Sequence, residues 1–504
     1  MKSQELILVV GLILTSGIVL GGCKTEEVVA PTLPSPTSTT TPVPKAPMSA
    51  AVSQLKCLSC HADVHAKWKG SPHAKTQADP AGELGEERAG QTPEEVIHGE
   101  DAEDCIACHA PTAVLANGGM NEVQALEYFF TTEDGKFTKD TVPVHSSEWP
   151  NVACIVCHKV PDNHPTTIPT RALFNSQTGK YASVDSVSEL CGQCHGNLRF
   201  PDTDHRTYNA WTTSKHAKTQ ADPAGELGEE RAGQTPEEVI HGEDAENCIA
   251  CHAPTAVLAN GGMSEVQALE YFFTTEDGKF TKDTAPVHSS EWPNVACIAC
   301  HDQHNPGEPA YFNSSTKKHE PMKNTSELCG QCHGSLRFPD TDHLSYNIRT
   351  GTGGIGVPDQ RTMPGATCTD CHMFVSKVDD SNSATFHGHT WAITVQEADG
   401  KSTTSCTRCH AGSKDAAKAK AIISAYKSGF QALDVTAQKN VAAAAEAMKG
   451  IQDKVLQAKL KEARHNLTYA ESDESGGFHN HKYLMALVKD ANDKAREILS
   501  TLGK

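Results

Sequence analysis

The sixteen residues CIACHAPTAVLANGGM, Cys105–Met120, occur a second time without a change at Cys248–Met263. Both copies begin with the unit Cys-x-x-Cys-His, which the chain of 504 residues contains nine times. We number these motifs 1 to 9 in chain order. Their cysteines are Cys57/Cys60, Cys105/Cys108, Cys154/Cys157, Cys191/Cys194, Cys248/Cys251, Cys297/Cys300, Cys329/Cys332, Cys368/Cys371 and Cys406/Cys409. Their histidines are His61, His109, His158, His195, His252, His301, His333, His372 and His410.

Cys-x-x-Cys-His is the attachment signature of c-type haem. The two thiols form thioethers with the porphyrin, and the adjacent histidine ligates the iron from the proximal side. A zinc site usually needs two cysteine pairs and has no use for a histidine after every second cysteine. A disulfide scaffold would show varied spacings. The sequence therefore predicts nine covalently bound c-type haems, each with its iron.

The composition is thin in apolar residues for a chain of this length, with 38% hydrophobic and 6% aromatic residues. Bound haem would account for this low apolar content, because each porphyrin is a large apolar plate. Side chains then need only surround the porphyrins and do not have to form a large core by themselves. We therefore predict a mainly α fold with much irregular loop, wrapped around stacked haems. The net charge of −19 excludes nucleic acid as a natural partner.

The N-terminus reads as an export and anchoring segment. Residues 1–22 carry one early lysine and an apolar run from Leu6 to Leu20, and LGGC ending at Cys23 resembles a bacterial lipobox. Cys23 is the one cysteine outside a motif, which favours its lipidation over an uncleaved anchor or an unlipidated leader. The Pro, Thr and Ser content of residues 23–50 predicts an extended tether. We expect a lipoprotein, anchored to a membrane and facing the periplasm or the cell exterior.

A duplication organises the middle of the chain. His73–His158 and His216–His301 match except at four positions, and the match resumes at SELCGQCHG and continues to His205 and His343. Each copy carries three motifs. The predicted domains are haem domain 51–205 with motifs 1 to 4, duplicated cassette 206–343 with motifs 5 to 7, 344–410 with motifs 8 and 9, and a helical region 411–504.

Electron-transfer haems usually take a second axial ligand, commonly His or Met. The chain has 26 histidines, so 17 remain after the proximal ones. We predict ten distal ligands: His73, His98, His145 and His205, their copies His216, His241, His288 and His343, and His389 and His479 near the last motifs. We expect ordinary surface or hydrogen-bonding roles for His65, His164, His304, His319 and His465. Met373 is expected to pack.

After His410 the sequence is rich in Ala, Lys, Glu and Leu with apolar residues at helical spacing. It predicts three helices with a long middle one, running from Thr436 to about Leu467. ESGGFH, Glu474–His479, separates the last two and can present His479 to a haem. An exposed apolar stripe on such helices would favour a homo-oligomer.

The chain resembles the multihaem cytochromes c grouped around pentahaem nitrite reductase and octahaem hydroxylamine oxidoreductase. The resemblance is carried by CTDCHM (Cys368–Met373), HGHTW (His387–Trp391), CTRCH (Cys406–His410), GGFHNH (Gly476–His481) and W-x-x-S-x-H-A at Trp68–Ala74 and Trp211–Ala217. It implies a multihaem cytochrome c fold with His389 and His479 as distal ligands. His387 is the alternative to His389.

Departures from that family bear on catalysis. In the nitrite reductases the fifth motif from the C-terminal end has Lys in place of His, whereas this chain has His252 there. Ser335 and Leu336 stand where those enzymes place Glu and Tyr. Hydroxylamine oxidoreductases do use His on the catalytic haem, and their crosslinking tyrosine lies in the C-terminal helices, where this chain has Tyr469 and Tyr483.

We therefore expect an exported nonahaem electron carrier in respiration that has no catalytic residue of its own. Its partners would be redox proteins that donate and accept electrons. The alternative is a nitrite- or hydroxylamine-type oxidoreductase that acts at one five-coordinate haem. Motif 5, Cys248–His252, is the first candidate for that haem, and motif 2 is the second.

Overall fold

The computed structural model describes residues 57–99, 104–115, 120–160, 170–200, 203, 205–242, 247–258, 262–339, 341–362, 365–377, 385–396, 402–408, 416–473 and 475–504. The predicted signal peptide, Cys23, the tether, His164, Cys409 and His410 lie outside these residues, as does the side chain of His387. All described residues belong to one unit, Ala46–Lys504.

The predicted fold class is confirmed, because short helices and loops dominate and strands are few. The helices up to the end of the first copy are α1 Ala62–Gly70, α2 Ala78–Glu86, α3 Pro93–His98, α4 Cys105–His109, α5 Glu122–Phe129, α6 Cys154–Cys157 and α7 Val187–Gly192. Those of the second copy are α8 Thr207–Thr213, α9 Ala221–Glu229, α10 Pro236–His241, α11 Cys248–His252, α12 Glu265–Phe272, α13 Cys297–Cys300 and α14 Thr325–Cys329. The rest are α15 Ser345–Thr350, α16 Cys368–His372, α17 Ala416–Ala447, α18 Lys454–Glu471 and α19 His481–Thr501.

Helix caps in the two copies explain why one of the four differences between them, Asn121 in place of Ser264, is tolerated. Thr92 begins α3 with a capping box, and Thr235 does the same for α10. At α5 and α12 the capping residue itself differs, Asn121 in one copy and Ser264 in the other. Each side chain accepts a hydrogen bond from the backbone N–H three residues on. Both residue types are good N-caps, so the substitution keeps the helix start.

Each copy has its own small apolar core. In the first copy Phe129 is fully buried and meets Trp149 edge to face at 4.9 Å between ring centroids. In the second copy Phe272 and Trp292 have the same arrangement at 4.9 Å. The two cores consist of corresponding residues. Each copy is therefore stabilised by its own apolar packing as well as by any cofactor.

The strands form small antiparallel sheets. They are β1 His158–Lys159, β2 Thr170–Asn175, β3 Lys180–Ser183, β4 His301–Asp302, β5 Asn305–Asn313, β6 Lys318–Pro321, β7 Val375–Lys377, β8 Thr385–His387, β9 Thr394–Gln396 and β10 Ser402–Thr404. Sheets β1-β2-β3 and β4-β5-β6 follow motifs 3 and 6, and β7-β8 and β9-β10 are hairpins. The first strand of each three-stranded sheet begins with a motif histidine, so the sheet fixes that side chain.

The C-terminal region is a three-helix unit around a continuous core that includes Phe430, Leu467, Leu484 and Leu487. The prediction of three helices is confirmed, but the prediction that the middle one is long is wrong. Helix α17 has 32 residues and α18 has 18. The chain turns near Gly450, where φ is +79°, and Asp453 caps α18 by accepting from two backbone N–H groups. Within the described residues, no helix combines the length and apolar character that crossing a membrane requires.

Candidate haem sites

Motifs 1 to 8, which the structure describes in full, each fold into about one helical turn. The histidine N–H donates to the carbonyl of the first cysteine at 2.8 Å in motifs 1, 4 and 7. Residues three and four apart lie on the same side of such a turn. Both thiols and the imidazole therefore point to one side of the backbone, which is the arrangement that a covalently attached haem needs.

Seven proximal imidazoles face a second imidazole across a gap. The ring centroids of these pairs are 5.8–6.4 Å apart, and the pairs are His109–His205, His158–His304, His195–His73, His252–His343, His301–His389, His333–His216 and His372–His479. A metal–imidazole bond of about 2 Å on each side puts two ring centroids about 6 Å apart. The gap therefore has the width that one iron between two histidines requires.

Most facing histidines come from a later part of the chain than the motif they face. Motif 2 faces His205, which follows motif 4, and motif 3 faces His304 of the second copy. Motifs 5 and 6 repeat the pattern one copy later with His343 and His389. Motifs 4 and 7 instead face histidines from an earlier part of the chain, His73 and His216.

The structure brings six of the ten predicted distal ligands opposite a proximal histidine and places the other four elsewhere. His145 and His288 stack on Tyr128 and Tyr271 at 4.3 Å between centroids. His98 and His241 are exposed at the ends of α3 and α10. These four side chains are held by aromatic stacking or solvated at helix ends, and we leave them out of the axial assignment.

His304 is the facing histidine that the sequence prediction missed, since we expected an ordinary role for it. It lies three residues after the proximal His301 in CHDQH, so it is next to motif 6 in the sequence although it faces motif 3. Its ring is nearly parallel to that of His158, at 6.4 Å and 13°. The other histidines expected to be ordinary include His319 and His465, whose Nε2 atoms lie 2.7 Å and 2.9 Å from backbone carbonyls of Ile298 and Gly353.

Trp391 was not singled out as a functional residue either, although it touches three of the sites. Its ring meets His216 at 4.2 Å and His389 at 5.5 Å between centroids. Its carbonyl oxygen lies 2.9 Å from Nδ1 of His372. A left-handed backbone, φ +55°, allows the ring and the carbonyl to serve different sites.

Burial controls the protonation of the facing imidazoles. Desolvation lowers the pKa of His195 to about 4 and that of His216 to about 3, with nearby histidines adding to the effect. These rings are therefore neutral at pH 7, which is the form that ligates a metal. Burial also raises the pKa of Cys157 and of Cys300 to about 12.

Contacts between thiols order the motifs in space. Side-chain contacts join motif 1 to 3 through Cys57 and Cys154, 4 to 6 through Cys191 and Cys297, and 7 to 8 through Cys329 and Cys368. Hydroxyl contacts repeat two of these links, because the N–H of Cys297 donates to Ser188 and that of Cys368 to Ser326.

The remaining links complete a row. Motif 3 lies within electrostatic range of motif 4, motif 6 of motif 7, and motif 8 of motif 9. Motif 2 contacts motif 4 through Cys108 and Cys194, and motif 5 contacts motif 7 through Cys251 and Cys332. The row therefore runs 1-3-4-6-7-8-9, and motifs 2 and 5 stand beside it.

One cavity of about 3240 Å³ connects these motifs and is lined by cysteines and histidines of motifs 1 to 8. Arg349 lines it, lies near Cys368 and Cys371, and has a buried Nη2 without a hydrogen-bond partner among the described residues. A carboxylate such as a haem propionate would satisfy that donor. The cavity, the facing imidazoles and this unpaired donor fit the predicted haems.

Two family models match the chain. The cytochrome c552 model matches residues 360–503, and the cytochrome c554 and c-prime model matches residues 56–129 and 190–270. Both models match regions that contain the motifs described above. Over these residues the chain is similar to c-type cytochromes.

The chain is also similar to solved multihaem cytochromes. The outer cell wall cytochrome OcwA is 18% identical over 88% of this chain and 100% of its own, with a TM-score of 0.46. An undecahaem S-layer cytochrome from Carboxydothermus ferrireducens is 17% identical over 74% and 53%, with a TM-score of 0.35. Cytochrome c nitrite reductase from Desulfovibrio desulfuricans is 13% identical over 57% and 70%, with a TM-score of 0.35. A comparison with characterised protein sequences gives no significant match.

The residues that would support catalysis have other contacts. At motif 5 the imidazole of His343 lies 6.3 Å from that of His252, where an open position would have to be. At motif 2 His205 takes the same place. The hydroxyl of Tyr469 donates to the carbonyl of Thr352, and that of Tyr483 accepts from the N–H of Gly354. Both tyrosines thus hold the 352–354 loop against the helices.

Proposed function

We propose that this chain is an exported nonahaem cytochrome that carries electrons between redox proteins in respiration. The observation that carries the proposal is the set of seven facing imidazole pairs. A haem iron held by two histidines keeps no position open for a substrate and changes only its oxidation state. Cytochromes of this kind move electrons and do not make or break substrate bonds.

In this proposal the eighteen motif cysteines attach nine haems and the nine motif histidines are the proximal ligands. The distal ligands of motifs 2 to 8 are, in order, His205, His304, His73, His343, His389, His216 and His479. The chemistry that the haem supplies is a one-electron change at iron. The protein residues hold each iron, exclude water from it and keep neighbouring sites in contact.

The order of the motifs supports transport along the molecule. A row of seven neighbouring sites joins motif 1, near the N-terminal side of the described chain, to motif 9 beside the C-terminal helices. Duplicating a cassette lengthens such a row, because each new site needs only a neighbour. A second copy of a catalytic centre would bring no comparable gain.

Removal of a facing histidine tests the proposal. We expect the haems of motifs 2 to 8 to be low spin in the electron paramagnetic resonance spectrum of the ferric protein, and His205→Ala and His343→Ala each to convert one of them to high spin. His145→Ala is the matched control, because its ring stacks on Tyr128, and it should leave the spectrum unchanged. A high-spin gain in the control equal to that of His205→Ala would contradict the assignment. Mass spectrometry of the mature protein counts the haems independently.

We also propose that a lipid on Cys23 holds the protein at a membrane, facing the periplasm or the cell exterior. The support is the lipobox-like LGGC and the position of Cys23 outside every motif. The mature protein should carry acyl chains at a new N-terminal cysteine, and Cys23→Ala should release it from the membrane fraction. A Cys23→Ala protein that stays in that fraction would contradict the anchor.

A homo-oligomer through the C-terminal helices is the remaining part of the proposal. Apolar side chains on these helices are exposed, among them Tyr426, Val435 and Val455. Their burial in a contact between copies would be favourable. Sedimentation of the wild type and of Val435→Glu measures the oligomeric state directly. A monomer at every protein concentration in both proteins would contradict the proposed homo-oligomer.

A further inference from the structure

Asp473 is a buried carboxylate that holds the facing histidine of motif 8. Its side chain has no exposed surface, and its Oδ1 lies 2.5 Å from Nδ1 of His479. The hydroxyl of Ser475 donates to Oδ2 of the same carboxylate. That hydroxyl also accepts from the backbone N–H groups of Phe478 and His479. The loop between α18 and α19 is therefore folded around one carboxylate that is aimed at one imidazole.

Other imidazoles of the row have weaker partners at Nδ1. His109 and His301 each lie 3.2 Å from a backbone carbonyl, and His372, across the gap from His479, lies 2.9 Å from that of Trp391. A carbonyl is a neutral acceptor. A carboxylate accepts a stronger, charge-assisted hydrogen bond and makes the imidazole a better electron donor to its metal.

A second carboxylate in the row offers a natural contrast. Asp302 lies 3.7 Å from Nδ1 of His304 at motif 3, a distance too long for a hydrogen bond. Its Oδ2 accepts from Lys67 at 2.8 Å, so its charge is balanced by an ammonium group. Among the described residues, Asp473 forms its ion pair with His479 itself. Motif 8 therefore has the stronger and less compensated carboxylate.

We propose that Asp473 acts through His479 to lower the reduction potential of the motif-8 haem below those of the haems whose histidines bind backbone carbonyls. The inference rests on the proposed function, in which His372 and His479 ligate one iron. A more basic ligand stabilises ferric over ferrous iron. Asp473 is thus a positioning and tuning residue. It sets a low-potential site late in the row, between motifs 7 and 9.

The test is a spectroscopic redox titration of the full, haem-loaded protein. In Asp473→Asn the ferric-to-ferrous preference of one haem should fall about tenfold, an upward shift of about 59 mV for a one-electron couple. Asp473→Glu keeps an acceptor carboxylate and should stay near the wild-type titration. Asp302→Asn is the matched control and should shift one haem by much less.

A second background assigns the effect to motif 8. Cys368→Ala/Cys371→Ala should lack one haem by mass, and adding Asp473→Asn to it should produce no further shift. An unchanged titration in Asp473→Asn, with all haems present and low spin, would overturn the inference. Conversion of one haem to high spin in that variant would also overturn it, because Asp473 would then only hold the ring. A Cys368→Ala/Cys371→Ala protein with no loss of haem mass would instead refute the proposed function.

Discussion

The two copies of the cassette have nearly the same sequence and local fold, but one of the three sites in each copy is completed by a different neighbour. Phe129 and Phe272 are buried against corresponding tryptophans at the same distance. Yet motif 3 of the first copy faces His304, which belongs to the second copy, whereas motif 6 faces His389 in the unduplicated tail. Local sequence therefore decides the shape of each copy, and position in the chain decides which histidine finishes its sites.

The connectors show how unlike residues can do the same task. In the first copy the hydroxyl of Tyr181 donates to the carbonyl of Ile155 at 2.8 Å. In the second copy His319 Nε2 lies 2.7 Å from the carbonyl of Ile298, the residue that corresponds to Ile155. Both side chains stand on the third strand of their sheet. A polar contact with the motif helix is kept although the residue has changed.

The largest expected effect breaks the symmetry between the copies. His304→Ala should convert one haem to high spin, and that haem should be motif 3 of the first copy. In a Cys154→Ala/Cys157→Ala background, which lacks motif 3, the same substitution should add no high-spin signal. The measurement is electron paramagnetic resonance of the ferric proteins. A high-spin signal that persists in this background would place the ligand of motif 3 elsewhere.

The next largest effect tests whether the apolar cores of the two copies are equally stabilising. Phe129→Ala and Phe272→Ala each remove a fully buried ring and should each lower the free energy of unfolding by about 3–5 kcal/mol. The two losses should be similar, because both rings are fully buried and meet corresponding tryptophans at the same distance. Denaturant unfolding of the haem-loaded variants measures both. A loss in one copy alone would mean that the cores do not stabilise their copies equally.

A smaller effect probes the connectors. Tyr181→Phe and His319→Phe each leave a motif carbonyl without its donor and should each cost about 1 kcal/mol. Tyr181→His, which copies the residue of the second connector, should cost less than Tyr181→Phe. Thermal unfolding of the wild type and the three variants at one pH measures these differences. Equal losses for the two Tyr181 variants would show that the hydrogen bond is not what the connectors share.

The smallest effect lies outside both copies, in the C-terminal helices. Burial, and then the charge of Glu471, raise the pKa of Asp434 to about 6. A raised pKa favours folding at low pH, and this stabilisation is lost as pH rises from about 4 through about 6. Asp434→Asn should therefore be more stable than the wild type at pH 8, by about 1 kcal/mol or less because the group is partly exposed.

Thermal unfolding at pH 5 and pH 8 measures this difference. The advantage of Asp434→Asn should grow between the two values, and Asp453→Asn, a cap at the start of α18, should show no such growth. An advantage that is equal at both pH values would remove Asp434 as the cause.

The motifs, the mainly helical fold and the C-terminal helices could be predicted because each depends on residues close together in the chain. The facing histidines depend on contacts between distant segments, and only some were found. His205 and His343 stand in repeated stretches that could be compared, whereas His304 lies in a connector that differs between the copies. His145 recurs as His288 at the same place in the second copy, as a ligand would. In the structure, however, the ring of Tyr128 stacks on His145. Spacing along the sequence does not reveal such a contact.

The border between α17 and α18 shows the same limit. The sequence prediction begins the middle helix at Thr436, because the apolar pattern can be divided into two helices at that point. The chain instead continues as one helix to Ala447, and the break falls beside Gly450. Packing of α17 along α19 holds the long helix together. Periodicity cannot show that packing, although a glycine before a capping aspartate was a clue to the turn.

The offset between a motif and the histidine it faces sets how such a protein can change length in evolution. A further whole cassette inserted ahead of residue 206 would draw on the present second copy for the ligand of its second motif, as motif 3 does with His304. The tail would go on serving the last copy. An insertion or deletion of part of a cassette would instead leave irons on either side of the junction without their second histidine ligand. Growth by complete units is the path that leaves every existing site intact.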